Sequence, residues 1–148
     1  MGTTAEHPRR SATSRMQPGV LLAIALGGAL GAPARYEVAE LVHVPKDGFP
    51  WATFWTNASG AFVLGLFLTL LLERFPPSRF PRPFFAIGFL GAYTTFSTMA
   101  VETVTLIKDG HAPLGCAYLV TSVAAGLLVA YTGVVVARIV PVRSRTHP

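Results

Sequence analysis

The chain has 148 residues, 51% of them apolar and only 13% charged, with twelve Lys and Arg against seven Asp and Glu. That length leaves room for one domain, and a soluble domain of this size exposes too much surface to carry so few charges, so a membrane protein is the class that fits. The single cysteine, Cys116, excludes a disulfide framework and a thiolate metal site, and reads as a small buried residue in an apolar stretch. The four histidines, His7, His43, His111 and His147, lack ligand spacing. With no catalytic triad, paired inward carboxylates or phosphate-binding glycine loop in the sequence, the pattern counts against an enzyme.

In chain order, residues 1–18 form a polar tail rich in Arg, Ser and Thr, predicted to be disordered. A transmembrane domain over 19–140 follows, with apolar stretches at 19–42, 51–72, 84–107 and 114–140. Each is long enough, at about 1.5 Å per residue, to cross a hydrocarbon core of about 30 Å. Pro45-Lys46-Asp47-Gly48, Pro76-Pro77-Ser78 and Lys108-Asp109-Gly110 punctuate them, and links this short predict antiparallel neighbours. A basic tail, 141–148, closes the chain. The predicted fold is therefore all-α, a polytopic membrane protein of four transmembrane helices. Arg9, Arg10 and Arg15, followed by the apolar run 20–30 and Gly31-Ala32-Pro33-Ala34, also match the layout of a cleaved signal peptide, which would leave three spans.

With four spans, both termini and the second link share one side. That side carries Arg9, Arg10, Arg15, Arg74, Arg79, Arg82, Arg138, Arg143 and Arg145, and the other only Arg35, Lys46 and Lys108. The positive-inside rule predicts both termini in the cytoplasm of a multi-pass plasma-membrane protein. Beside anionic lipid headgroups, such a basic flank is no sign of nucleic-acid binding.

Polar side chains are costly within lipid and mark packing contacts or a pathway. Most fall in the third span, where Gly88 and Gly91 precede Thr94, Thr95, Ser97 and Thr98. Glycines lower the cost of unwinding and hydroxyls rebond freed backbone groups, so a broken helix is one expectation. Close helix packing through the glycines, with the hydroxyls bonding between helices, is the other. Asn57, about 9 Å into the second span at about 1.5 Å per residue, carries two amide hydrogens. Arg35 and Tyr36 sit late in the first span at snorkelling and anchoring depth. Glu102 nears the end of the third span, and Tyr118 and Ser122 lie one turn apart on the fourth. Together these supply hydrogen donors, carbonyls and aromatic edges suited to an anion, with no acid at mid-depth.

Three ordered motifs make this pattern specific. The segments Gly27-Gly28-Ala29-Leu30-Gly31-Ala32-Pro33-Ala34-Arg35-Tyr36, Thr56-Asn57-Ala58-Ser59-Gly60-Ala61-Phe62-Val63-Leu64-Gly65, and Gly91 through Met99 with a later Glu102 resemble the first-, second- and third-helix motifs of the Fluc (CrcB-type) fluoride channels. The likeness covers residues 19 to about 138 and gives the first apolar run a better reading than a signal peptide. It implies an inverted (antiparallel) dimer with two fluoride pores at the interface, passively exporting fluoride and so lowering its toxicity. By position, it implies that Asn57 donates to the ion, Phe96 offers its ring edge, and Ser97 and Thr98 form a polar track. Tyr118 would steady the pore side chains, Arg35 would make a positive vestibule, and Glu102 would stand near a mouth. Gly91 and Thr94 would give backbone carbonyls to a structural sodium ion between the subunits.

Two departures from the pattern carry consequences. Met99 stands where a second pore phenylalanine is usual, and it offers no ring edge. The nine-to-three distribution of basic residues favours one fixed orientation, and hence pairing with an oppositely biased homologue over a homodimer. A non-conducting or half-pore partner subunit is a competing function. So is a small proton-coupled multidrug exporter, although that needs a membrane-embedded acid, and Glu37, Glu40 and Glu102 all lie near helix ends.

Overall fold

A computed structural model describes residues 17–45, 47–73 and 79–139. The expectations for most of the first tail, for Lys46, for the Pro76-Pro77-Ser78 link and for the second tail fall outside the described residues. The elements are helix α1 (Pro18–Leu41), helix α2 (Trp51–Glu73), a π-helical segment (Pro83–Phe89), the short helix α3 (Leu90–Tyr93), helix α4 (Phe96–Lys108) and helix α5 (Ala112–Ile139). Four stretches are long and apolar enough to span a bilayer: α1, α2, Pro83–Lys108 and α5. The chain is an all-helical, multi-pass membrane protein, and the apolar stretches in the sequence match these spans to within two residues.

Helices apolar on every side belong in lipid, where backbone groups must bond within the helix. Leu22, Leu26, Val120, Leu127 and Leu128 accordingly face outward from the chain. Cys116 is also on the outer surface, so the expectation that it is buried is corrected. In lipid an outward-facing small apolar residue costs nothing, and the water-based rule that buries cysteine does not apply.

Packing divides the four spans into two pairs: α2 runs along α5, and α1 along the π-helical segment and α3. Both contacts are backbone-close. A methyl group on Gly65 would collide with the Ala130 carbonyl, and one on Gly133 with the Phe62 carbonyl. Gly27, Gly31 and Gly88 do the same between α1 and the third span, where a methyl on Gly88 would lie 3.0 Å from the Gly27 Cα. Small residues permit such approach where no hydrophobic effect drives association. The turn from α4 to α5 closes at Gly110, whose φ of 88° suits glycine, with the His111 N–H donating to the Leu106 carbonyl at 2.8 Å.

Candidate functional site

Hydroxyls within the spans fall into two groups. Thr56, Ser59, Thr69, Thr103 and Thr132 each donate to the carbonyl one turn earlier, at 2.7–2.8 Å, and so satisfy themselves. Thr94 does the same to the Leu90 carbonyl at 2.9 Å; Thr53 and Ser122 do not, and Thr95 and Thr98 bond each other where the third span changes course. Thr94 (φ −79°, ψ 157°) and Thr95 (φ −148°, ψ 121°) are extended between α3 and α4.

Asn57 on α2 meets this stretch with both ends of its amide. Its Nδ2 donates to the Thr95 carbonyl at 2.9 Å, and its Oδ1 accepts from the Thr95 N–H at 2.8 Å. Thr95 then caps α4: its Oγ1 accepts from the Thr98 N–H at 3.1 Å and donates to the Thr98 Oγ1 at 2.9 Å. The consequence is local and specific. In a continuous helix the Thr95 N–H would bond Gly91 and the Thr98 N–H would bond Thr94. Both donors are diverted, which releases the carbonyls of Gly91 and Thr94. Gly60 makes room for this arrangement, because a methyl there would collide with the Thr94 side chain. The Tyr93 hydroxyl and Ser59 Oγ lie 3.0 Å apart beside it.

The structure brings Asn57, Gly91, Thr94, Phe96 and Met99 to one open groove of about 450 Å³, together with Ser122. Phe96 projects outward, 74% exposed, whereas Met99 is 5% exposed and packs inward with Leu106 and Tyr118. Ser122 Oγ is buried without a hydrogen-bond partner among the described residues. The sequence placed Ser122 on the face of Tyr118 but gave it no role. Ser97 and Thr98 are exposed at the start of α4. Thr98 and Arg35 line a second cavity of about 260 Å³ with Thr53, Thr56 and Thr95, between α1, α2 and α4.

Tyr118 does not join the groove. Fully buried, it donates its hydroxyl to Glu102 Oε2 at 2.6 Å, while Thr53 donates to Glu102 Oε1 at 2.8 Å. Three spans thus converge on one carboxylate. That carboxylate lines a further cavity of about 360 Å³ with Glu40, His43 and Pro50, at the end of the bundle where α1 leads into α2. Thr53 was missed in the sequence. Its signal is helical spacing, since Thr53, Thr56, Asn57 and Gly60 occupy one face of α2. Among the described residues no group of three or more His, Cys, Asp and Glu is placed to hold a metal.

Known proteins with similar sequences give the context. The family described as "CrcB-like protein, Camphor Resistance (CrcB)" matches residues 22–134. A Streptomyces avermitilis protein named fluoride-specific ion channel FluC 3 is 46% identical over 84% of this chain, which spans 61% of that relative's length. The Streptomyces coelicolor protein named fluoride-specific ion channel FluC 1 is 45% identical over 85% of this chain and 81% of its own. A Mycobacterium tuberculosis protein of the same name is 46% identical, covering 83% of this chain and 93% of its own. With the family match running through all four spans, the chain belongs to the CrcB-like family.

Proposed function

We propose that this chain is a subunit of a fluoride-selective channel of the plasma membrane, working as an inverted dimer that lets fluoride leave the cell down its gradient. The observation that carries the proposal is the groove around Thr95, where an amide, freed carbonyls and an exposed phenyl ring converge on the open side of the protomer. The names of the relatives support the substrate. Fluoride is small and strongly hydrated, so a path through lipid must replace its water with many donors.

The second Nδ2 hydrogen of Asn57 is not used on Thr95 and is available to the ion. Phe96 would present the positive edge of its ring from its exposed position, and a second protomer laid on the groove would close it into a pore. Ser97, Thr98 and Ser122 would continue the track, with Arg35 giving a positive vestibule. Because Asn57 is fixed at both ends of its amide, its free hydrogen is held in one direction. Such preorganisation is what selectivity for a small anion requires.

The interruption of the third span is part of this reading. The freed Gly91 and Thr94 carbonyls fit a sodium ion, a hard cation that takes oxygen ligands. Bound between two protomers, the ion would hold the inverted pair together and offset the exposed carbonyl dipoles. In a protomer oriented as the charge bias favours, both termini would lie in the cytoplasm, and in its inverted partner they would lie outside.

The charge bias favours a second reading of the assembly, in which the partner is an oppositely biased homologue rather than a copy of this chain. Surface labelling of engineered cysteines at each end, in a Cys116→Ser background, tests it. One fixed orientation supports the heterodimer, and equal labelling of both removes it. For the function itself, Asn57→Ala in reconstituted protein should abolish fluoride flux, and flux unchanged by that substitution would overturn the proposed pore.

A further inference from the structure

The cavity beside Glu102 is lined by Val42, His43, Val44 and Pro50, residues between α1 and α2 to which the pore reading gives no role. The described residues of this link before Gly48 include exposed His43, Pro45 and Asp47, whereas Phe49 is half-buried and Pro50 buried. The Gly48 N–H donates to the Pro45 carbonyl at 2.9 Å, the Trp51 N–H to the Phe49 carbonyl at 2.8 Å, and the Phe54 N–H to the Pro50 carbonyl at 3.1 Å. Pro50 is buried and lines the cavity beside Glu102. Phe49 turns inward and becomes the hub of an aromatic cluster. Its ring centroid lies 4.4 Å from Trp51, 5.6 Å from Phe54 and 5.2 Å from Tyr118, the last at an interplanar angle of 85°.

Tyr118 is thereby enclosed. Met99 and Leu106 pack with it in the core, and Phe49 meets it edge to face. The tyrosine's one hydroxyl proton is committed to Glu102 Oε2, so the direction of the ring decides whether that carboxylate keeps its second bond. Thr53 alone would anchor one oxygen and leave the carboxylate free to swing into the cavity shared with Glu40 and His43.

We propose that Phe49 is a positioning residue: seated edge-on against Tyr118, it holds the Tyr118 hydroxyl on Glu102 and so fixes the carboxylate at the mouth. The role rests on the channel reading for its effect on flux, but its geometric claim stands apart from it. The link between the first two spans then sets the shape of an ion's route without touching the ion. Edge-to-face pairs prefer this arrangement because the positive edge of one ring meets the negative face of the other, a preference an aliphatic side chain cannot supply.

The test is a double-mutant cycle in reconstituted full-length protein, with Phe49→Leu, Tyr118→Phe and the pair together, and Phe49→Met as a second ring-free variant. Phe49→Leu should slow fluoride efflux roughly tenfold, the scale of one lost aromatic pair. It should cause no further loss once Tyr118→Phe has removed the hydroxyl, and Phe49→Tyr should recover most of the rate. Losses that multiply in the double variant would overturn the proposal, because a ring that acts only through packing has no dependence on that hydroxyl. The second readout is the infrared C–O band of Tyr118 in isotope-labelled protein, assigned by its absence in Tyr118→Phe. The band should leave its hydrogen-bonded position in Phe49→Leu and Phe49→Met, and a band that stays would overturn the proposal. If the unmodified protein passes no fluoride, the channel reading fails while this band still decides the role of Phe49.

Discussion

Before Thr94, the third span meets its neighbour backbone to backbone: Gly88 lies on Gly27 and the Ile24 carbonyl, and Gly31 lies on Phe89. From Thr95 onward, the same span is tied to α2 and α5 through side chains, namely Asn57 to Thr95 and Thr53 and Tyr118 to Glu102. The first mode brings the helices as close as their backbones allow. The second spends polar groups to hold an irregular stretch of backbone open to a groove. One span thus packs in two ways along its length, and the residue types divide accordingly: glycine at the close approach to α1, asparagine and threonine at the extended Thr94 and Thr95.

The sharpest way to break this comparison is to load the glycine side. Gly88→Leu places a branched side chain against the Ile24 carbonyl and the Gly27 backbone, which cannot give way as a flexible side chain would. Overpacking by itself costs about 1–3 kcal/mol, and a clash with backbone exceeds that range. We expect loss of monodisperse protein in size-exclusion chromatography, whereas normal yield and elution would show that the contact does not define the pair.

Next in size is the loss of the brace. Asn57→Ala leaves the Thr95 N–H and carbonyl without their side-chain partner, and an unsatisfied buried group costs about 1–3 kcal/mol. Fluoride efflux should fall about a hundredfold or more, since each 1.36 kcal/mol is about a factor of ten. Asn57→Asp keeps the acceptor for the Thr95 N–H and loses the donor. An aspartate variant as active as the wild type would show that the amide hydrogens are not needed.

Glu102→Gln should act more mildly. It keeps one acceptor oxygen, turns the other into an amide donor and removes the charge, so only one of the Tyr118 and Thr53 hydroxyls keeps its acceptor, a loss of about 1–3 kcal/mol. Efflux should drop by about tenfold, and rates equal to wild type would mean that the carboxylate only fills space. The smallest effect belongs to Glu73→Gln, which removes the exposed pair with Arg138 across α2 and α5, 2.8 Å at its shortest. Little change in thermal stability should follow, because exposed pairs contribute little, and a large loss would move this contact into the anchoring half of the comparison.

Most of the architecture was legible in the sequence because lipid imposes a simple code. Apolar length defined the spans, and Pro- and Gly-containing links separated them. The glycines of the third span were harder to read. Gly88 and Gly91 suggested unwinding, yet both are helical, and the extended dihedrals fall on Thr94 and Thr95 instead. Gly88 serves close approach to α1, and only the hydroxyl cluster marked the stretch where the course changes. The convergence on Glu102 was harder to read: spacing puts Thr53 on the face of Asn57, yet it shares that face with the self-satisfied Thr56. The π-helical segment was missed altogether. Met99 was read as an altered pore residue, and its packing against Tyr118 came from tertiary contacts that no local pattern carries.

The most direct test of the central claim is fluoride efflux from liposomes containing the purified protein, read with a fluoride-selective electrode against a chloride control. A fluoride channel gives rapid loss of fluoride with chloride retained, from vesicles with this chain alone or with an oppositely biased homologue. Retention of fluoride under both conditions would contradict that claim.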